Sequence, residues 1–381
     1  MAEVLKPSTE AELSQTIADA AAAGRPLELI GTGTKRGFGR PMQVAATLDL
    51  SGFTGIQLYE PEELILEAGA GTPLAEIEKA VAAHGQMLAF EPPGGGTLGG
   101  MAACNLSGPR RIRAGAARDH VLGMRGVTGR ADIFKAGARV MKNVTGYDLP
   151  KLLTGSYGTL AALTAVTIKV LPKPETEETL VLSGLDDETA VRAMSLALQS
   201  PCEVSGAAHL PGAAALTLLR LEGIAPSVAY RRGKLASLLK EFGAAGTLPE
   251  KQSAKRWQAI RDVAPLAARP ERCLWRISVA PSEAPRVVAQ IAAGIDARWF
   301  YDWGGGLVWL DIPSTDDAGA AMVRGAVAQG HATLVRAPDP TRLAVPVFQP
   351  QEAALAALAA RIKQAFDPAQ ILNPGRMYRG V

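Results

Sequence analysis

The chain has 381 residues, a formal net charge of +3 and 48% apolar residues. That length suits roughly two domains with packed cores, and so small a charge gives no electrostatic ground for nucleic-acid or direct membrane binding. Cys104, Cys202 and Cys273 form no CxxC pair, which excludes a self-contained iron–sulfur or structural zinc motif and points to a reducing compartment. MAEVLKPSTEAEL has no basic stretch followed by an apolar one, and no run reaches the ~18 apolar residues of a membrane span, so the sequence predicts a cytoplasmic protein.

In chain order, Thr9 with Glu12 makes a capping box for a helix over 10–23, with Gly24 as its stop. Residues 26–30 (PLELI) read as a strand feeding the loop IGTGTKRGFG. VAATLDL is a second strand with no helix between, and 64–68 a third. Thr72 and Pro73 can cap and start a helix to Ala83, with Gly85 beyond its end. Residues 86–90 lead into a second glycine loop, PPGGGTLGGMAACNLSG. Residues 163–170 form a β-branched run, and Leu171-Pro-Lys-Pro-Glu marks a domain boundary. Beyond it, helical patterns over 187–199, 226–242, 284–293 and 316–327 alternate with strand patterns over 276–280, 298–303 and 307–312. The last two strands are joined by Gly304-Gly305-Gly306. Periodicity predicts an α/β or α+β second domain without fixing its topology. Residues 351–366 predict a terminal helix, and DPAQILNPGRMYRGV a turn-rich tail.

Two glycine loops in one domain suggest backbone N–H groups approaching a polyanion from two sides. A pyrophosphate is the expected anion and flavin adenine dinucleotide (FAD) its expected carrier. In the first loop Thr32, Thr34 and Lys35 or Arg36 add donors, although the same glycines would suit an ordinary strand–strand loop. Asp49 follows at the distance of a ribose-binding acid, but Gly37, Gly39 and Pro41 stand where a Rossmann helix would begin, and GxGxxG is absent. In the second loop a helix starting near Gly99 would aim its dipole at phosphate. A glycine-rich hairpin or linker is the plainer reading.

GTLGGMAACNLSG, ARDHVLGMRGVTG and KNVTGYDLPKLLTGSYGTLAALTAVTIKV together resemble the flavoprotein family of vanillyl-alcohol oxidase and p-cresol methylhydroxylase. Within it they resemble the FAD-binding subunits of bacterial glycolate oxidase. Asp367-Pro368 … Ile371-Leu372-Asn373-Pro374-Gly375 resembles that family's C-terminal segment, which folds back towards the flavin. The resemblance covers about the first 175 residues and the last dozen. It implies an α+β, two-domain FAD-binding fold of p-cresol methylhydroxylase type: an FAD domain over 1–174, an α/β cap over 175–337, and a helix and tail over 338–381 returning to the FAD domain.

Carried over residue by residue, Gly31, Thr32, Gly33, Thr34 and Lys35 with Thr97, Leu98, Gly99 and Gly100 would cradle the pyrophosphate. Asn105, Gly108 and Arg110 would continue that contact. Gly158, Thr159 and Leu160 would present backbone to the adenosine or pyrophosphate end. Tyr147, Asp148 and Asn373 would lie nearer the isoalloxazine, a half-buried structural role being the alternative for Tyr147. The run Arg110, Arg111, Arg113 and Arg118 suits a solvated face, a phosphate or carboxylate anchor, or a docking surface.

The resemblance further implies glycolate or a related 2-hydroxy acid as substrate and an acceptor other than NAD. It implies a sister FAD subunit carrying the substrate site and an iron–sulfur subunit, with any membrane contact made through these partners. Related hydroxy-acid flavoproteins carry a histidine-rich motif in the second domain. Here the four histidines, His84, His120, His209 and His331, are scattered, so no catalytic base can be assigned and no metal is expected. The expected role is therefore electron relay or assembly, the alternatives being a self-sufficient 2-hydroxy-acid dehydrogenase or a non-catalytic scaffold. His84 reads as a helix cap, and His120 as the one histidine placed for a flavin role. Trp299, Trp303 and Trp309 read as core or interface residues, and Cys104 as a packing residue.

Overall fold

A computed structural model describes residues 3–138, 146–267, 269 and 271–381. They form two compact units, one from the described residues of 1–106, 115–173 and 350–381, the other from those of 107–114 and 174–349.

The first unit begins as its capping signals dictate. Thr9 accepts the Glu12 N–H at 3.1 Å and starts the helix Glu10–Ala22, while the Glu12 carboxylate reaches back to the Ser8 N–H at 2.8 Å. Gly24, at φ +59°, follows its end. Leu13 and Ile17 on this helix pack with Leu27, Leu48, Ile371 and Leu372 in one core. Leu27–Ile30 and Ala46–Asp49 pair parallel, and Glu3–Leu5 completes a three-stranded sheet on the far side of Ala46–Asp49. Leu27 is also bridged to Leu372, so the C-terminal tail covers this sheet's edge. A five-stranded antiparallel sheet runs Ile56–Glu60, Ile65–Gly69, Ala161–Lys169, Val121–Thr128, Ile133–Gly137. Its strands Ile65–Gly69 and Ala161–Lys169 are buried on both faces, which is why their sequences read as nearly continuous apolar runs. Leu74–Ala82 and Leu98–Cys104 pack Ile77, Val81, Leu98 and Met101 into the core beside this sheet.

The second unit is an eight-stranded antiparallel sheet in the order Gly246–Leu248, Thr176–Ser183, Leu216–Gly223, Gly206–Leu210, Arg298–Asp302, Leu307–Pro313, Arg272–Ser278, His331–Arg336. Along the chain these strands and the helices Asp187–Gln199, Ala225–Leu238, Ala284–Ala292 and Ala320–Ala326 spell β-α-β-β-α-β twice, joined where His209 meets Tyr301. Periodicity concealed this duplication. The helix Glu250–Arg261 was not expected, because it buries little beyond Ser253, Trp257 and Ile260. The helix expected over 316–327 is shorter, since Gly319 at φ +62° and a Thr315–Asp317 turn delay its start.

Residues 107–114 group with the second unit through Arg110, whose Nε and Nη2 grip both Glu222 carboxylate oxygens at 2.8–3.3 Å. Arg113 reaches Glu203 at 2.5 Å, and Arg111 lies over the Trp303 ring at 4.5 Å. Burial by itself would raise the Glu222 pKa, but Arg220 and Arg110 outweigh it and hold the carboxyl at about 2, below its ordinary 4.5. A folded value below the unfolded one means that this stabilisation is complete above the ordinary pKa and is lost as pH falls towards about 2. The amount is about 3 kcal/mol. Glu222→Gln is expected to be less stable at neutral pH and to show a flatter acid limb over that window, measured by urea unfolding at stepped pH.

Candidate functional site

The first glycine loop leaves the strand Leu27–Ile30 at Gly31 and closes on itself when the Arg36 N–H donates to the Gly33 carbonyl at 3.2 Å. Gly33 makes the bend at φ +75°, a region that disfavours side chains. The N–H groups of Thr32, Gly33 and Thr34 find no acceptor among the described residues. Arg36 is held back by a two-pronged contact to Glu28, at 3.1 and 2.8 Å.

The second loop lies against the first. A Cβ on Gly31 would come within 2.6 Å of Thr97 Oγ1, and one on Gly96 within 2.8 Å of Thr34 Oγ1. Thr97 caps Leu98–Cys104 by accepting the Gly100 N–H at 3.2 Å. The Leu98 and Gly99 N–H groups donate to the Thr72 and Ala70 carbonyls at 2.9 and 2.7 Å, and Met101 donates to Thr97. The amides of this helix start are thus bonded within the chain. The helix's first four donors are already used, and the second loop contributes closeness instead.

Two further stretches complete the wall. Tyr157 donates its N–H to Ala103 O at 2.8 Å, and Gly158 turns at φ +71°. Asn373 accepts the Leu29 N–H on Oδ1 at 2.8 Å and donates Nδ2 to the Tyr157 carbonyl at 2.7 Å. Arg376 donates to the Lys35 carbonyl at 2.8 Å. The result is a solvent-open cleft of about 710 Å³.

Of the residues singled out from sequence, Gly31, Thr32, Gly33, Thr34, Lys35, Thr97, Gly99, Gly100, Gly158 and Asn373 line this cleft. Leu98, Thr159 and Leu160 are buried behind it, Thr159 Oγ1 donating to Ser156 O. Asn105 ends the helix at φ +50° and accepts the Arg118 N–H. Gly108 accepts from Trp303 Nε1 at 3.1 Å and Arg110 is committed to Glu222, so neither is carried forward as a phosphate contact. Tyr147 is 92% exposed and so not half-buried; Asp148 caps Leu149–Leu153. KNVTGYDLP begins outside the described residues. Sequence reasoning missed Tyr157 and Arg376, which line the cleft; their only signal was adjacency to Gly158 and to Asn373-Pro374-Gly375.

None of the four histidines lines the cleft. His120 packs on Phe90 with Nδ1 3.3 Å from Lys169 O, and His84 meets Tyr59 edge-on. His209 is buried against Thr217 and Asp187, where Trp299 Nε1 and Tyr301 Oη also donate to the Asp187 carboxylate. His331 opens an edge strand of the second unit. Cys104 does line the cleft.

Family models for an FAD binding domain and for the C-terminal domain of FAD linked oxidases match residues 1–137 and 349–377. The chain is 38% identical to "Glycolate oxidase subunit GlcE" of Escherichia coli (strain K12) over 371 residues, 96% of this chain and 95% of that protein. It belongs to that protein's family. "Glycolate oxidase subunit GlcD" of Bacillus subtilis (strain 168) is 29% identical over 195 residues, half of this chain and 42% of that one. The structure of p-cresol methylhydroxylase with substrate bound superposes at a TM-score of 0.77 over 98% of this chain and 88% of that one, at 15% identity. The fold is thus the α+β fold of p-cresol methylhydroxylase type, and the chain is an FAD-dependent oxidoreductase.

The cleft fits FAD. The open N–H groups of Thr32–Thr34 and the cations Lys35 and Arg376 offer what a pyrophosphate needs, and the missing Cβ atoms let backbone come close. Gly31→Ala drives a methyl group into the Thr97 cap. It is expected to raise the Kd for FAD about tenfold or more while costing only the ~1 kcal/mol of a lost cap, read by flavin fluorescence and melting. Burial pushes the Cys104 thiol up to about 11, against the pull of Arg376 and Lys35. Its alkylation, followed by peptide mass spectrometry, is therefore expected to stay slow at neutral pH and to rise about tenfold per pH unit towards that value.

Proposed function

We propose that this chain is the FAD-binding subunit of a hetero-oligomeric glycolate oxidase, and that it relays electrons or stabilises assembly while a sister flavoprotein holds the substrate site. Its full-length similarity to a protein named as one subunit of such an oxidase carries the reading. The second relative, named as another subunit, is similar over half of this chain, as two flavoproteins in one complex would be. The cleft supports the FAD-binding part of this reading. Its lining combines the backbone donors of Thr32–Thr34 with the cations Lys35 and Arg376, a set suited to holding a cofactor's pyrophosphate.

When bound, FAD supplies a centre that takes up two electrons and hands them on. This chain's residues do the holding: Thr32–Thr34 donate N–H groups, Lys35 and Arg376 supply positive charge, and Tyr157, Gly158 and Asn373 line the cleft with them. In this reading an iron–sulfur subunit takes the electrons to an acceptor other than NAD. The assembly is cytoplasmic, any membrane contact being peripheral and made through partners. Among the described residues no helix is long and apolar enough to cross a membrane.

The test is purification of the chain alone and with its partners, followed by a flavin spectrum and dye-linked glycolate oxidation. The expected result is a yellow, FAD-loaded chain that turns over glycolate far more slowly alone than in the complex. Full glycolate turnover by the isolated chain would overturn the subunit reading, and a colourless chain that takes up no FAD would leave only a scaffold.

A further inference from the structure

One wall of the cleft is set by an ion pair that is absent from its lining. Lys363 and Asp367 lie one turn apart where the terminal helix Ala353–Phe366 ends, with side chains 1% and 0% exposed. Lys363 Nζ carries three protons and has three acceptors: Asp367 Oδ2 at 2.7 Å, the Thr159 carbonyl at 2.7 Å and the Leu372 carbonyl at 2.9 Å. The Asp367 carboxylate in turn accepts the Ile371 and Leu372 N–H groups at 3.2 and 2.8 Å. A Cβ on Gly129 would fall 2.4 Å from Asp367 Oδ1, so the neighbouring strand end is shaped around the carboxylate.

One ammonium therefore ties three stretches of chain together. Thr159 follows Gly158, and Leu372 precedes Asn373, the two cleft residues whose spacing the Asn373–Tyr157 hydrogen bond records. Burying two charges is poor value as stabilisation, because well-packed apolar residues of similar volume do as well or better. What the pair adds is register: its hydrogen bonds are satisfied only when helix end, glycine turn and tail meet in one arrangement.

We propose that Lys363 and Asp367 are a positioning pair for FAD, holding Gly158 and Asn373 at the separation the cofactor requires while touching no cofactor atom. This rests on FAD being the ligand of the cleft. The pair acts through the Thr159 and Leu372 carbonyls, which adjoin the cleft residues Gly158 and Asn373.

The test compares wild type, K363M and K363M/D367N by FAD titration, visible circular dichroism of the bound flavin and melting of the FAD-free proteins. K363M leaves a buried carboxylate unpaired and reads that cost as lost melting temperature. In the double variant no buried charge is left alone. That variant strands the Thr159 and Leu372 carbonyls and sets an amide NH2 against one tail N–H, so it is expected to melt between wild type and K363M without FAD, to bind FAD about tenfold or more weakly and to show an altered visible dichroism. A folded double variant with wild-type Kd and dichroism would overturn the proposal. If neither variant folds, hydrogen exchange of wild type with and without FAD decides. Joint protection of 155–160, 371–373 and the helix end 363–367, which lies outside the cleft lining, supports the pair's role, and protection that leaves 363–367 unchanged refutes it. A wild-type chain that binds no FAD would sink the cofactor reading itself, a different result from either.

Discussion

The cleft depends on one carboxamide. Asn373 is 2% exposed and joins Leu29 to Tyr157, positions 344 and 216 residues away along the chain. Those two hydrogen bonds add to the Lys363 ammonium and the Arg376–Lys35 contact in joining the first glycine loop, the turn at Gly158 and the C-terminal tail. Joined in this way, the three are faces of one cavity. A buried amide with unmatched donors and acceptors is costly, so the closed arrangement is also the one in which Asn373 is satisfied. The Leu27 N–H to Ile371 carbonyl and Asn373 N–H to Leu27 carbonyl bonds extend this closure along the sheet edge.

The two glycine loops divide the work. The first supplies open N–H donors from Thr32 to Thr34 and the charge of Lys35. The second supplies proximity, because its helix-start amides are already bonded to Thr72, Ala70 and Thr97. Where the loops meet, Gly31 and Gly96 leave no room for a Cβ, and Arg376 holds the first loop by the Lys35 carbonyl. The positive charge beside Cys104 is too weak to offset burial, so the thiol is a lining atom there rather than a nucleophile.

The second unit uses its polar residues differently. Asp187 gathers Trp299, Tyr301 and His209 beside the join between its two β-α-β-β-α-β halves, and Asp311 gathers Arg272 and Arg298 within the second half. Apart from His209 Nε2, which lies 3.3 Å from Asp187 without a hydrogen bond, these groups satisfy one another, which suits fixing strand order better than handling substrate. The tryptophan-rich run around Gly304–Gly306 has the same character, with Trp303 under Arg111 and Arg276 and bonded to Gly108.

By itself the sequence determined the elements whose causes are local. The Thr9 cap, the Leu27–Ile30 and Ala46–Asp49 strands, Asp187–Gln199 and the turn-rich tail are all dictated by residues within a few positions of one another. The two glycine loops were equally legible, since only glycine tolerates such backbone, and ten of the eighteen residues suggested by the loops, the KNVTGYDLPKLLTGSYGTL segment and the tail share one cleft. Tertiary structure alone decided which donors remained available. Whether Gly99 could offer an N–H depended on Ala70, and whether Arg110 was available depended on Glu222, 112 residues away. Lys363 looked like any helical lysine until the fold supplied its three acceptors. Hydrogen bonds across such separations leave no periodicity and no local motif, because their partners are chosen by packing and not by spacing.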